Sequence, residues 1–411
     1  MDAKSNVSTS VDKSAVRVAE APKLGGSLEN IANNLARADS KRLDYRRERW
    51  ETRGFLWSES SLQRVRTCGR YSIFPDGSVQ VRANGVTSGY AGLASCGSVW
   101  ACPVCNARIQ ASRRLEVGTA IAVNGGSGGS AAFGAYTLQH HAKTDPDALW
   151  RSLSKCWECV TRDKMVKRTR QALGWVGTIR AAEVTHGLNG FHPHLHPVHM
   201  FAAAVSHDDV QELHAREIRA WRAAAARLGL LSPSEDAQHL HLVEGDASEP
   251  LGDYFTKAVY QPSPEGVSWE MTSTQTKSRT RATGSRTPWE ILASAARDGD
   301  ADDLDIWHSF EKASKGKRAI SWSRGLRELV GVEVEASDQE IVDAQVGTVE
   351  DAGFEIVNWA PVRARPALGA ELLSSIKNGA DWGAGRRLCA QNGIEIRDPV
   401  VRLALTASRK D

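Results

Sequence analysis

The stretch Phe191-His192-Pro193-His194-Leu195-His196-Pro197-Val198-His199-Met200-Phe201 constrains this chain more than any other. Four of the twelve histidines lie in it, and three of them alternate at positions 192, 194 and 196. In an extended strand alternate residues point to the same face, so these three imidazoles would aim at one point, as a metal site requires. The other face, with Phe191, Pro193 and Leu195, is apolar enough to be core. Pro193 cannot donate to a strand ladder, which predicts an edge position or an N–H direction that needs no partner.

The segment before it, Trp175 to Thr185, reads as a second strand, and Gly187-Leu188-Asn189-Gly190 reads as the turn between them. If the turn takes those four residues, Glu183 faces His194, Thr185 faces His192 and Ala181 faces His196. Cross-strand partners have Cβ atoms about 5 Å apart, so a carboxylate stands beside the central imidazole. A slip of one residue would turn Glu183 away. One acid with two or three histidines on one face suits Mg²⁺ or Mn²⁺, with positions left for substrate oxygens. Such a site could serve a hydrolase, an oxygenase or a structural role.

A second cluster consists of thiols. Tyr71–Phe74 and Val79–Val81 read as a hairpin turning at Pro75-Asp76-Gly77, with Cys68 ahead of it and Cys96, Cys102 and Cys105 behind. A close CxxC pair plus two further thiols brought in by the fold is what a structural tetrahedral Zn²⁺ needs. A redox CxxC and buried free thiols are the alternatives. Cys156 and Cys159 form another CxxC on a helix face and read as packing.

Around these clusters, residues 1–26 read as a disordered tail and 27–60 as a basic amphipathic helix. A zinc knuckle is expected over 61–110. Helices are predicted over 106–123, 146–173 and 208–228, and strands over 131–138 and 239–243. Residues 336–411 read as a helical C-terminal region, with origin recognition, dimerisation or simple packing as the roles open to it. A net charge of only +3 does not mark a nucleic-acid binder, but the basic residues are clustered, and local patches govern phosphate contacts. No apolar run approaches the ~18 residues needed to span a bilayer, and the N-terminus lacks the apolar core of a signal peptide. A cytoplasmic protein is the expectation.

Further on, Pro250-Leu251-Gly252-Asp253-Tyr254-Phe255-Thr256-Lys257 predicts a helix with Tyr254 and Lys257 on one face. A phenol with a pKa near 10 is a poor nucleophile unless an ammonium and a polarised phosphate assist it. Taken in order, the cysteine knuckle, the Glu183 and His192–His196 strand pair, Tyr254-x-x-Lys257 and the late segment Gly316-Lys-Arg-Ala-Ile-Ser-Trp-Ser-Arg-Gly325 resemble the HUH endonucleases. Within that class the resemblance is specifically to single-tyrosine rolling-circle plasmid replication initiators of the actinobacterial branch, over about residues 60 to 335.

The resemblance implies an α+β fold, a central antiparallel sheet flanked by helices, with 111–335 as the catalytic core. It implies that His194 and His196 bind the ion, with Glu183 the first candidate for a third ligand and His192 the second. It also implies that Tyr254 attacks a phosphodiester of single-stranded or hairpin origin DNA, leaving a 5′-phosphotyrosine and a free 3′-OH, with Lys257 assisting. Host helicase and replication proteins are the implied partners. Two departures stand out. Pro197 replaces the usual aliphatic residue, so the strand is expected to bend there. Pro250 replaces the glutamate that some relatives place one turn before the tyrosine, which leaves Glu244, Glu249 and Asp253 as weak candidates for activating water. A relaxase or transposase of the same class, and a non-catalytic zinc-dependent DNA-binding protein, are the competing readings.

Overall fold

The computed structural model describes residues 28–85, 87–243, 284–332, 334–344, 351–376, 379 and 381–400. The predicted tail therefore lies outside the described residues. So do Tyr254, Lys257, Glu244, Glu249 and Asp253. The chain divides into two compact units, Met1–Asp44 and Tyr45–Asp411. The described part of the first is the opening half of helix α1 (Leu28–Glu59).

In the second unit α1 is followed by α2 (Gln63–Thr67), the hairpin β1 (Val79–Ala83) and β2 (Ser88–Ala91), α3 (Pro103–Gly126) and β3 (Ser130–Thr137). Then come α4 (Pro146–Arg162), α5 (Lys164–Ala172), β4 (Trp175–Gly187), β5 (Gly190–Phe201), α6 (His207–Arg227) and β6 (His239–Leu242). After the undescribed stretch follow α7 (Pro288–Asp298), α8 (Ala301–Ser314), β7 (Ile320–Trp322), α9 (Leu326–Leu329) and α10 (Asp338–Asp343). The C-terminal part holds β8 (Ala352–Ile356), α11 (Ala360–Ala364), α12 (Pro366–Ser375), α13 (Trp382–Gln391) and β9 (Ile396–Arg397).

The larger sheet is antiparallel with order β6-β3-β5-β4-β7, so the histidine strand is its centre. The β4–β5 hairpin has the register expected from its turn: Glu183 pairs with His194, Thr185 with His192, Ala181 with His196, and Gly187 with Gly190. Gly190 has φ 79°, and a Cβ there would lie 2.9 Å from the Ala142 carbonyl, so glycine is required twice over. On the face of Leu195, helices α4 and α6 supply Trp157 and Trp221, both edge-on to Tyr136 of β3. Phe310 of α8 stacks on Phe191 of the same face.

Pro193 takes the second of the two arrangements expected of it, a position that needs no N–H partner. Pro193 is on no edge strand, and Pro197 does not end β5, which runs on to Phe201. Pro193 lies past the last β3 pair, Thr137 with His194, and the β3 pairing skips from Leu195 to Val198. Both prolines thus sit where β5 makes no ladder toward β3, and the missing N–H costs no bond.

Three local expectations need correction. The predicted long helix over 146–173 is two helices, because Asp163 adopts an extended backbone and its carboxylate caps α5 by accepting from Met165 and Val166. The hairpin near the cysteines is Val79–Ala83 with Ser88–Ala91, one turn later than predicted. Asp76-Gly77 does turn the chain, with the Gly77 N–H donating to the Phe74 carbonyl, but Asn84-Gly85 closes the hairpin. Finally, the C-terminal region is not purely helical. Strand β8 pairs with β1 and β9 with β8, giving a second sheet of order β2-β1-β8-β9. Val79, Val81, Phe354 and Ile356 bury one side of it against Trp50, Leu372 and Cys389. No described helix is long and apolar enough to cross a membrane.

Candidate metal centres

Period-two alternation places His192, His194 and His196 of β5 on one face, with Glu183 of β4 beside them. One ligand atom each from Glu183, His194 and His196 fall within 4.8 Å of one another. His196 Nε2 is 3.0 Å from Glu183 Oε2. That separation is also the cis edge of an octahedron with bonds of about 2.1 Å, the geometry a small hard cation demands. Phe133 of β3 stacks flat on the His196 ring, 5.6 Å between centroids and 8° between planes, which fixes the ring's plane. Glu183 and His196 are buried while His194 is half-buried, so the group is held firmly on one side and accessible on the other.

His192 stands outside this group. Its Nδ1 lies 2.6 Å from His140 Nε2 and its Nε2 3.0 Å from Thr137 Oγ1, so both ring nitrogens are engaged. Burial, with His140 adding repulsion, pushes His192 down to about 4. It is therefore neutral near pH 7, a positioning neighbour edge-on to His194 at 4.4 Å. His140 was not anticipated from the sequence. Its one signal is the His140-His141 pair just beyond the predicted strand 131–138, at the end that meets the histidine strand.

The fourth histidine of the cluster, His199, points to the opposite face and is fully buried. Its Nδ1 lies 2.8 Å from Thr178 Oγ1, and its Nε2 lies 3.2 Å from Glu217 of α6. Arg170 donates to the same carboxylate through Nε and Nη2 at 3.1 and 2.6 Å, and Tyr136 Oη donates at 2.6 Å. Burial pushes Glu217 up, yet its neighbours outweigh this and hold it below the usual carboxylate range. Burial also holds His199 below the usual imidazole range, leaving Arg170 as the permanent cation. The network pins the far side of β5 to α5 and α6.

The four predicted thiols converge. Cys68 Sγ is 3.7 Å from Cys102 and 3.6 Å from Cys105, and Cys96 is 3.6 Å from Cys105. A disulfide would need about 2.05 Å. A regular tetrahedron of thiolates with ~2.3 Å bonds to a central ion has edges of ~3.8 Å, which the observed separations approach. Cys102 caps α3 and Cys105 lies in its first turn, so the helix start presents both sulfurs together. Hydrogen bonds from Cys102, Cys68 and Cys96 hold Cys105 well below the usual thiol range, whereas burial pushes Cys102 well above it. Trp57 Nε1 donates to the Cys68 carbonyl at 2.8 Å, which ties the cluster to α1. Cys156 is buried in the main core with Cys159 packed against it, away from this cluster.

No family model matches the chain, and no solved structure matches it. The chain is 26% identical over 329 residues to protein rep of Streptomyces lividans, covering 65% of this chain and 70% of that protein. It is 30% identical over 132 residues to the neomycin resistance protein of Streptomyces cyanogenus, covering 26% of this chain and 30% of that one. Over most of its length, then, this chain is a relative of the Streptomyces lividans protein rep.

Proposed function

We propose that this chain is a plasmid rolling-circle replication initiator that nicks one strand of origin DNA by tyrosine transesterification. The observation that carries the reading is the meeting of Glu183, His194 and His196 at one point of the central hairpin, in a relative of protein rep. A Mg²⁺ or Mn²⁺ ion bound there would neutralise charge on the oxygens of the scissile phosphate. Glu183, held against His196, would keep the ligand set on one side, and His192 with His140 would fix the His194 ring. The Tyr254 oxygen would form a bond to phosphorus as the bond to the 3′ oxygen breaks. The products are a 5′-phosphotyrosine and a 3′-OH that takes up the proton. Lys257, one helical turn on in the sequence-based reading, would lower the phenol pKa or balance the charge of the crowded phosphorus. The four-cysteine cluster would hold Zn²⁺ as a structural brace. Origin DNA, a host helicase that unwinds it and the replication proteins that extend the 3′-OH are the partners this activity requires.

The test is incubation of the full chain with a supercoiled plasmid carrying its origin and Mn²⁺ or Mg²⁺, followed by mass identification of the DNA-linked residue. The expected adduct is on Tyr254 and disappears in Tyr254→Phe. An adduct that persists in that variant refutes the nucleophile. If no adduct forms on any such plasmid, the enzymatic reading falls, leaving the non-catalytic zinc-dependent DNA-binding protein.

A further inference from the structure

The residues on β4 alternate between two chemistries. Glu183 faces the metal group, whereas Arg180 and Ala182 face the other side, where Leu195 and the helices lie. On that side a cavity of about 240 Å³ opens between α4 and the segment 316–321. Trp150, Ala182, Leu195 and Ala319 supply its apolar lining. Arg180, Lys317, Arg318, Ser154 and Ser321 supply its polar lining.

Arg180 is the unusual member. A guanidinium on the core-facing side of a central strand is ordinarily paired, because burial without a partner forfeits hydration. Arg180 is half-buried, and burial alone lowers its pKa, with no neighbouring carboxylate opposing the effect. Among the described residues none forms a hydrogen bond or ion pair with its side chain. The other two cations are partly committed. Lys317 Nζ is 2.8 Å from Asp147, and Arg318 is 4.0 Å from Glu335. Arg318 is nonetheless 75% exposed and free to turn toward the mouth. Strand β7, which carries Ser321, is the sheet edge, so a ligand reaches Arg180 from outside without crossing the core.

We propose that this cavity receives a backbone phosphate of DNA, at a second contact on the sheet face away from Glu183, His194 and His196. A fork of guanidinium donors, an ammonium and two hydroxyls matches the several oxygens of a phosphate. The volume falls below the ~300–1,000 Å³ of pockets that enclose whole small molecules, so it suits one group of a longer chain. The choice of DNA, rather than free phosphate or a nucleotide, rests on the functional reading above. The site also gives a role to Lys317 and Arg318, which the metal group does not use.

Binding of a fluorescent origin oligonucleotide to the full chain is measured in EDTA, over a series of salt concentrations. Chelation removes nicking from the readout. Arg180→Gln should weaken binding on the order of tenfold at low salt and reduce the salt slope by about one. Arg318→Gln, at an exposed position where folding is not at stake, should also lower the slope, and Arg180→Lys should recover part of the loss. Wild-type affinity and slope in both glutamine variants overturn the site. The same holds if inorganic phosphate or a nucleotide raises the melting temperature through Arg180 while DNA affinity stays unchanged, since the cavity then serves a free ligand. If the wild-type chain binds no DNA, the functional reading falls together with this one.

Discussion

Glu217→Gln should destabilise this chain more than almost any other isosteric change. The Glu217 side chain is completely buried, and that of Arg170, paired with it at 2.6 Å, is 5% exposed. The substitution keeps the shape and removes the charge, so Arg170 becomes a buried cation with no counter-ion. Breaking a buried pair from one side costs about 3–5 kcal/mol, mostly from the orphaned charge. Tyr136 and His199 also lose a charged acceptor, which favours the upper half of that range. With an unfolding entropy of about 0.8 kcal/mol/K for a unit of this size, the melting temperature should fall by roughly 4–6 °C. Scanning calorimetry at pH 7 measures it. Arg170→Met with Glu217→Gln removes both charges, leaves an amide oxygen to accept from Tyr136, and should be less harmful than Glu217→Gln alone. A single variant that melts within about 1 °C of wild type, or a double variant worse than the single, refutes the assignment.

The same network fixes a sign for pH. His199 and Glu217 both have folded values below their ordinary 6.5 and 4.5, so the unfolded chain binds more protons as pH falls. Stability should therefore decline below about pH 6.5 through His199 and again below about 4.5 through Glu217, and Glu217→Gln should flatten the second limb of a melting-temperature profile. His192, pushed down to about 4, should show a ring-proton titration midpoint near that value by NMR, and a midpoint near 6.5 would contradict its contacts with His140 and Thr137. Elemental analysis should find one zinc per wild-type chain, retained in Cys156→Ser and lost in Cys105→Ser with a lower melting temperature; retention in the latter sinks the four-thiol site. Glu183→Gln should abolish the rise in melting temperature produced by Mn²⁺ while leaving the metal-free melt close to wild type, and an undiminished rise would remove Glu183 from the ligand set.

The centre of the fold was legible because its signals are local and redundant. The turn at Gly187–Gly190 sets the register, and the register alone puts Glu183 opposite His194. The thiol cluster was legible for a similar reason, since CxxC at a helix start needs little from the rest of the chain. What escaped depends on distant partners. His140 matters only because β3 lies beside β5, and nothing in its own neighbourhood announces that pairing. The split at Asp163 was hidden because the apolar periodicity continues on both sides of a residue that reads as exposed and helical. Strand β8 is five residues long in a region rich in helical pattern, and it is a strand because β1 offers it an edge. The tyrosine helix is a different case, because Tyr254 and Lys257 lie outside the described residues and stand on the sequence reading alone.

The pairing of β1 with β8 also dictates the order of events on the ribosome. Gln80 must find Glu355, 275 residues later, before its amide has an acceptor at 2.7 Å. At ~5–20 residues per second, β1 would wait roughly 14–55 s for that partner. Until then the β1–β2 hairpin presents an open edge bearing Val79 and Val81, the kind of surface that recruits other chains. Non-local closure of this sort also slows folding itself. A gene cut short after residue 335 would thus keep every candidate ligand and still deliver a chain whose thiol-bearing half has lost two of the four strands beside it.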